Sequence, residues 1–427
     1  MGKGLEGLVV FVLMIAILPS FTALSSELSR IAPPIFKYLG PINLLKILWP
    51  VLLYFAWTRR RGIPKPVIWI FSGAVLVGTF ATGIAGVRCH FPPALVREWF
   101  VIVIGMIAAF SFFSLPQNKQ RLIVAVWTIL VSFFACLDYF LPTGTDWFYA
   151  HLFDPETRAL DSHQSDVHLL GGVFGFQSMA KLLTWLPWLL MMTFCKSKFE
   201  RKNTTVLLGI ATLATAALLS TSQRGALIGM TVGWVVFFFH QILRGKRYRL
   251  GAGIGAALLI SLALIPLLVP RTLLKTRIES TLGLAPKTGY GALADVNRDF
   301  RLKMTRFSLN VIAHYPLGNA CIPEADFYQA GVFPNHAHSL FIHQFRERGW
   351  LWGSFHLLLW LAAAFFAWRT RDLSGGALAA GLMATIVAGL VDHPWFVLNH
   401  AMILSVFLVT GISRGFDKVE MGTEKIA

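Results

Sequence analysis

Apolar runs of about 18 or more residues recur along this chain, each long enough to cross the hydrocarbon core of a bilayer as a helix. Lipid offers the backbone no hydrogen-bond partner, so such runs satisfy their own peptide groups by winding into helices. Reading them in order gives spans at 8–24, 41–57, 67–86, about 98–115, 122–141, about 172–195, 206–219, 226–243, 251–269, 350–368, 377–391 and 397–412. The first carries no convincing small-residue cleavage site and is read as a retained helix. Composition agrees. The chain is 56% hydrophobic and 14% charged, where a soluble domain carries about 25% charged residues. The expected fold is therefore an all-α integral membrane protein of about twelve transmembrane helices.

The gaps between spans set the topology. Arg59 to Lys65, Lys119 and Arg121, Lys196 to Lys202, Arg244 to Arg249, Arg369 and Arg371, and Arg414 and Lys418 occupy every second gap. Simple alternation puts them all on one side, which the positive-inside rule makes cytoplasmic, with both termini there as well. The other side collects Arg88, the 138–168 loop, Arg224, the long 271–348 segment and Asp392-His393-Pro394. Three regions follow: 1–270 with nine spans, 271–348 as one large periplasmic loop, and 349–427 with three spans and a cytoplasmic tail. The formal charge of +17 points to anionic lipid or an anionic substrate, with no nucleic acid as partner. A carrier would be expected to place polar groups mid-span in broken, repeated helices. The sequence shows few such groups and no repeat.

The chemistry-bearing residues fall on the outer side. Residues 333–353 hold His336, His338 and His343 beside an apolar span. Asn335 reads as an N-cap, which puts His336 and His338 in the first helical turn. The positive end of the helix dipole disfavours imidazolium there, and a neutral ring suits a general base. The plainer reading is a solvated helix cap. Arg88 ends one span, and Arg224 sits in a very short turn between two others. Their planar forks suit phosphate oxygens at the bilayer surface. For Arg271, Lys275 and Arg277, snorkelling to lipid phosphate is the better reading. Asp392 and His393 occupy the last outer turn, where His393 reads first as a satisfied core histidine. The acids between Asp146 and Asp166 are scattered as in a solvated loop, and the outer face shows no carboxylate pair with obvious metal spacing. Cys89 and Cys321 share a side, and the sequence leaves their pairing open.

Two stretches carry a family resemblance. Ser220-Thr-Ser-Gln-Arg-Gly-Ala226 is similar to a Ser-Arg-Gly turn at the head of a span, with Gln223 here separating Ser222 from Arg224. Asn335-His-Ala-His-Ser-Leu-Phe341, followed by Glu347-Arg-Gly349 and Gly353, resembles a His-x-His segment after a large loop. Both features, in this order and with nine spans, a loop and three spans, resemble the O-antigen ligase family (WaaL), within the superfamily that includes O-antigen polymerases. The resemblance covers nearly the whole chain in layout and these two stretches in motif.

The resemblance implies a glycosyltransferase of the polyprenyl-phosphate-sugar (GT-C-like) type in the inner membrane of a Gram-negative bacterium, with its active site facing the periplasm. Such an enzyme moves a finished polysaccharide from undecaprenyl pyrophosphate to a sugar hydroxyl of lipid A–core in lipopolysaccharide biosynthesis. It implies no cofactor and no metal, and it places the base at the second histidine, His338. Arg88 and Arg224 then take the pyrophosphate, with His336, Asp392 and His393 in support, and direct attack inverts the anomeric carbon. An O-antigen polymerase or a protein O-oligosaccharyltransferase of the same superfamily would share this chemistry. A transporter or flippase is the reading from a different class. Glycan composition, acceptor sugar and oligomeric state stay open.

Overall fold

The computed structural model describes residues 2–18, 44–59, 63–140, 175–195, 201–220, 224–245, 253, 255, 290–332, 339–390 and 398–416. Every regular element among them is helical. In chain order these are α1 (Gly2–Ile15), α2 (Leu44–Arg59), α3 (Lys65–Arg88), α4 (Pro93–Phe113), α5 (Gln117–Phe140), α6 (Gly175–Phe194), α7 (Arg201–Ser220), α8 (Arg224–Leu243), α9 (Tyr290–His314), α10 (Glu324–Gln329), α11 (Leu340–Arg369), α12 (Leu373–Gly389) and α13 (Leu398–Ser413). Five stretches are long and apolar enough to cross a membrane: Lys65–Arg88, Pro93–Phe113, Gln117–Asp138, Gly225–Leu243 and Leu340–Arg369. Most of the span expected at 251–269 lies outside the described residues.

Local sequence explains the helix starts. α3 and α4 each open on a Pro-X-Pro or Pro-Pro step, with Pro64 and Pro92 as N-caps. A proline in the first turn loses nothing there, because its missing N–H would have no intrahelical partner. α12 opens on Asp372, whose carboxylate accepts from the Gly375 N–H at 2.7 Å, a standard N-cap. Two glycine-rich or small-residue helices form the centre. α13 is buried at every position, and α12 at nearly all. A helix apolar on all sides belongs in the interior. Small residues let backbones close on one another there: a Cβ added at Gly229 of α8 would lie 2.5 Å from the Ala384 carbonyl of α12.

Contacts at the two ends show that the helices alternate in direction. At one end, Arg59 pairs with Glu6 at 3.8 Å. There too Arg414 pairs with Asp372 at 3.4 Å, and His240 Nε2 donates to the Thr370 carbonyl at 2.8 Å. This is the end that carries the basic gaps. At the other end, Asn399 donates to the Ile17 carbonyl at 2.9 Å, and Ser339 donates to the Gly389 carbonyl at 3.3 Å. Arg224, Arg88 and the start of α11 belong to this second end, called the site face below.

Helices α9 and α10 stand apart from the main core. Met304, Phe327 and Val332 form a small core of their own, with Phe300, Phe307 and Ile322 around it. This unit docks on α11 where α11 is kinked. Gly349 sits at φ 76°, a left-handed conformation inside an otherwise regular helix. The Trp350 N–H donates to the Pro316 carbonyl at 2.8 Å, and the Asn319 N–H donates to the Arg346 carbonyl at 2.8 Å. Gly318, at φ 89°, faces it so closely that a Cβ would lie 2.5 Å from the Glu347 carbonyl. Two glycines thus permit both the turn and the approach of one backbone to another. They explain the Gly of the Glu347-Arg-Gly349 stretch without recourse to chemistry.

α11 begins at Leu340 with Ser339 as its N-cap. The helix start expected at Asn335, with His336 and His338, lies outside the described residues. Ser339 sits in extended geometry, and its hydroxyl donates to the Gly389 carbonyl.

Candidate active site

Three helix ends meet on the site face. Arg224 is the first residue of α8. Two residues on, the Ala226 carbonyl accepts from the Thr184 hydroxyl of α6 at 3.4 Å. Ala226 also faces a recess bounded by Ala388 and Gly389, the last residues of α12, and by Lys181 and Trp185 of α6. On the other side of Gly389 sits Ser339, bonded to its carbonyl, and Leu340 packs on its Cα. Arg224 and the residue next to His338 are thereby brought to the same α12 terminus, although more than a hundred positions separate them in the chain. The heads of α8 and α11 both point their unpaired N–H groups towards this end. Such termini suit an anion.

The side chain of Arg224 and all of His336, His338, Asp392 and His393 lie outside the described residues. Arg88 is described, and it is exposed at the end of α3. Its guanidinium lies 4.6 Å over the Tyr315 ring and donates to the Gly318 carbonyl at 3.5 Å. The next residue, Cys89, is disulfide-bonded to Cys321, which answers the pairing the sequence left open. Arg88 is thus held against the 315–321 segment. It does not line the α6–α8–α12 recess.

Directly under the kink lies a buried charged cluster. Glu98 of α4 accepts from His343 Nε2 at 3.1 Å and is 3.5 Å from Arg348. Arg348 is 1% exposed. It also donates to Gln344 at 2.9 Å, the Leu95 carbonyl at 3.1 Å and Thr82 at 3.2 Å. Arg346 pairs with Glu347 at 3.1 Å, and its guanidinium carbon lies 5.8 Å from the Phe327 ring centre of the small core. Trp352 donates to Gln344 at 2.8 Å. His343, the third histidine of the motif segment, is therefore a core residue sealed by these partners.

Glu98, His343 and Glu347 offer three ligand atoms within 4.8 Å of one another, a spacing that invites the question of a metal. Two guanidiniums already face the two carboxylates, so their formal charges cancel. A divalent cation would enter against Arg346 and Arg348. The cluster's chemistry fits a structural tie between α3, α4 and α11, not a cation site.

Residues 209–357 match the O-antigen ligase family. The matched stretch runs from within α7 through Arg224, the histidine segment and the kink, and it covers both motifs that carried the resemblance. No curated protein matches the chain.

Sequence reading missed Lys181 and the Glu98–Arg348 tie. Lys181 stands inside the span expected at 172–195, and an ionisable residue within a span is a functional pointer by default. That signal was available. The Glu98–Arg348 tie had none, since nothing in the local sequence pairs α4 with the head of α11.

Proposed function

We propose that this protein is an O-antigen ligase. It transfers a polysaccharide from undecaprenyl pyrophosphate to a sugar hydroxyl of lipid A–core. The observation that carries the reading is the meeting of the Arg224 end of α8 with Ser339, the neighbour of His338, at the end of α12, within a stretch that matches the O-antigen ligase family. The twelve-span layout, the GT-C-like architecture and the large loop at 271–348 belong to the same proposal. The site face is periplasmic, with both termini in the cytoplasm. The basic gaps at the opposite end support this, as does the Cys89–Cys321 disulfide on the site face, since disulfides persist in oxidising compartments.

In the reaction, the acceptor hydroxyl oxygen attacks the anomeric carbon while the bond from that carbon to the pyrophosphate oxygen breaks. The configuration inverts. The hydroxyl proton passes to His338 as general base, and the bonding pair leaves on the pyrophosphate. A departing pyrophosphate needs positive charge more than a proton, and Arg224 and Arg88 supply it. His336, Asp392 and His393 support the site. No metal or other cofactor takes part.

A transfer assay tests this, with purified protein, undecaprenyl-pyrophosphate glycan and lipid A–core, with EDTA present. Product carrying the glycan on lipid A–core is expected. His338→Ala should lower turnover by about 10²–10⁴-fold with donor affinity unchanged. Arg224→Ala should weaken donor binding by roughly 1.5–3 kcal/mol. Strong EDTA inhibition would sink the metal-free mechanism. Glycan extended on its own lipid carrier would make the protein a polymerase, modified periplasmic protein an oligosaccharyltransferase, and substrate movement without a covalent product a transporter.

A further inference from the structure

We infer that the outer face of α9 rests on the anionic lipid headgroups of the leaflet at the site face. This goes beyond the ligase reading and does not rest on it. Met304, Ser308 and Val311 of α9 are buried. On the opposite side Leu302, Arg306, Leu309 and Ala313 recur at helical spacing and form one exposed line. Both leucines are more than half exposed, and Lys303 is exposed beside them. Between Phe300 and Pro323 the chain carries Arg301, Lys303 and Arg306 and no acid. Leucines along the middle of a helix's outer face, flanked by cations, are what a helix lying in the headgroup region presents.

Position and charge name the occupant. From Trp350 to Arg369, α11 rises about 29 Å, close to the thickness of one hydrocarbon core. Trp350 and Leu351 are exposed, and a tryptophan at the head of such a span marks the interface. The Trp350 N–H donates to the Pro316 carbonyl, so the exposed Leu317 stands at the same level. Earlier along α9, the Met304 sulfur accepts from Arg346 at 3.9 Å. Arg346 and Trp350 are only about 6 Å apart along α11. Contacts to both of them keep α9 beside the bilayer boundary. The small core then separates two surfaces of opposite sign. α10 packs through Phe327 on the Met304 and Phe307 side of α9, away from Leu302 and Leu309, and it exposes Glu324 and Asp326. An anionic membrane surface attracts the α9 side and repels the α10 side.

The test places one nitroxide at a time on the full-length protein in nanodiscs, through Leu302→Cys, Leu309→Cys or, as the water-facing control, Gln329→Cys on α10. The background is Cys136→Ser; Cys195 is buried, and Cys89 and Cys321 are bonded to each other. Accessibility to oxygen, which concentrates in lipid, is compared with accessibility to a water-soluble nickel chelate. In phosphatidylcholine containing a third phosphatidylglycerol, oxygen should dominate at both leucine positions and the chelate at Gln329. In pure phosphatidylcholine the oxygen-to-chelate ratio at the leucine positions should fall about twofold or more. Lys303→Gln combined with Arg306→Gln should give the same fall in the anionic bilayer. Dominance of the chelate at both leucine positions, or the same ratio at Gln329, would overturn the inference. So would a ratio indifferent to both the anionic lipid and the charge substitutions, which would mean apolar contact alone. Dipolar broadening that vanishes on dilution with unlabelled protein would put a second copy on this face, and protection that appears only when lipid A–core is added would make it an acceptor surface; either result sinks the inference. If a leucine variant does not fold, Ala313→Cys on the same face takes its place with the same expected ratio.

Discussion

Two kinds of cation sit towards the site face, and their surroundings differ in kind. Arg346 and Arg348 are almost fully buried, and each meets a carboxylate, Glu347 and Glu98 respectively. Arg348 fills its remaining donors on Gln344, Thr82 and the Leu95 carbonyl. Arg88, by contrast, stands exposed with an aromatic ring and a carbonyl beneath it. A buried guanidinium paired with a carboxylate belongs to the packing of the helices. An exposed cation keeps its charge for an anion from outside. Proximity to the histidine motif does not separate the two sets, because Arg348 is nearer in sequence to His338 than Arg224 is.

The strongest test of this contrast is Arg348→Met. Removing one partner strands Glu98 in the interior, which should cost about 3–5 kcal/mol and show as a large fall in the unfolding midpoint in detergent. Adding Glu98→Gln should restore part of that loss. If Arg348→Met is as stable as wild type yet inactive, Arg348 belongs to the ligand set and the contrast collapses.

A smaller effect is expected at the disulfide. Cys89 and Cys321 are 232 positions apart, and the bond ties the end of α3 to the segment that docks on the Gly349 kink. Replacing both with Ser should cost about 2–4 kcal/mol, and dithiothreitol should mimic it in the wild type. Activity should fall with Arg88 in place but less well held. Equal stability of reduced and oxidised protein would show that the glycine-mediated contacts between 316–319 and 346–350 suffice.

The smallest stability effect belongs to Arg88→Ala. An exposed cation–π contact is worth about 0.5–1 kcal/mol, so the midpoint should barely move while donor affinity drops. A stability loss comparable with that of Arg348→Met would place Arg88 among the structural cations.

The sequence by itself determined the all-helical membrane class, because runs of apolar residues admit little else in lipid. It also determined the alternation of the helices, written in the basic gaps, and the two motif stretches, which fall inside the segment matching the O-antigen ligase family. The tertiary structure decided what those stretches do locally. Ser339, ahead of the helix that begins at Leu340, is bonded to the Gly389 carbonyl from fifty positions away. His343 proved to be a core residue because Glu98, 245 positions earlier, lies against it. Lys181 reads in sequence as one cation in an apolar span, and only the packing of α6 against α8 and α12 turns it towards the recess. Periodicity and charge record how a segment meets lipid and water. Which side chains face each other across helices depends on rotation and depth, and no local pattern encodes either.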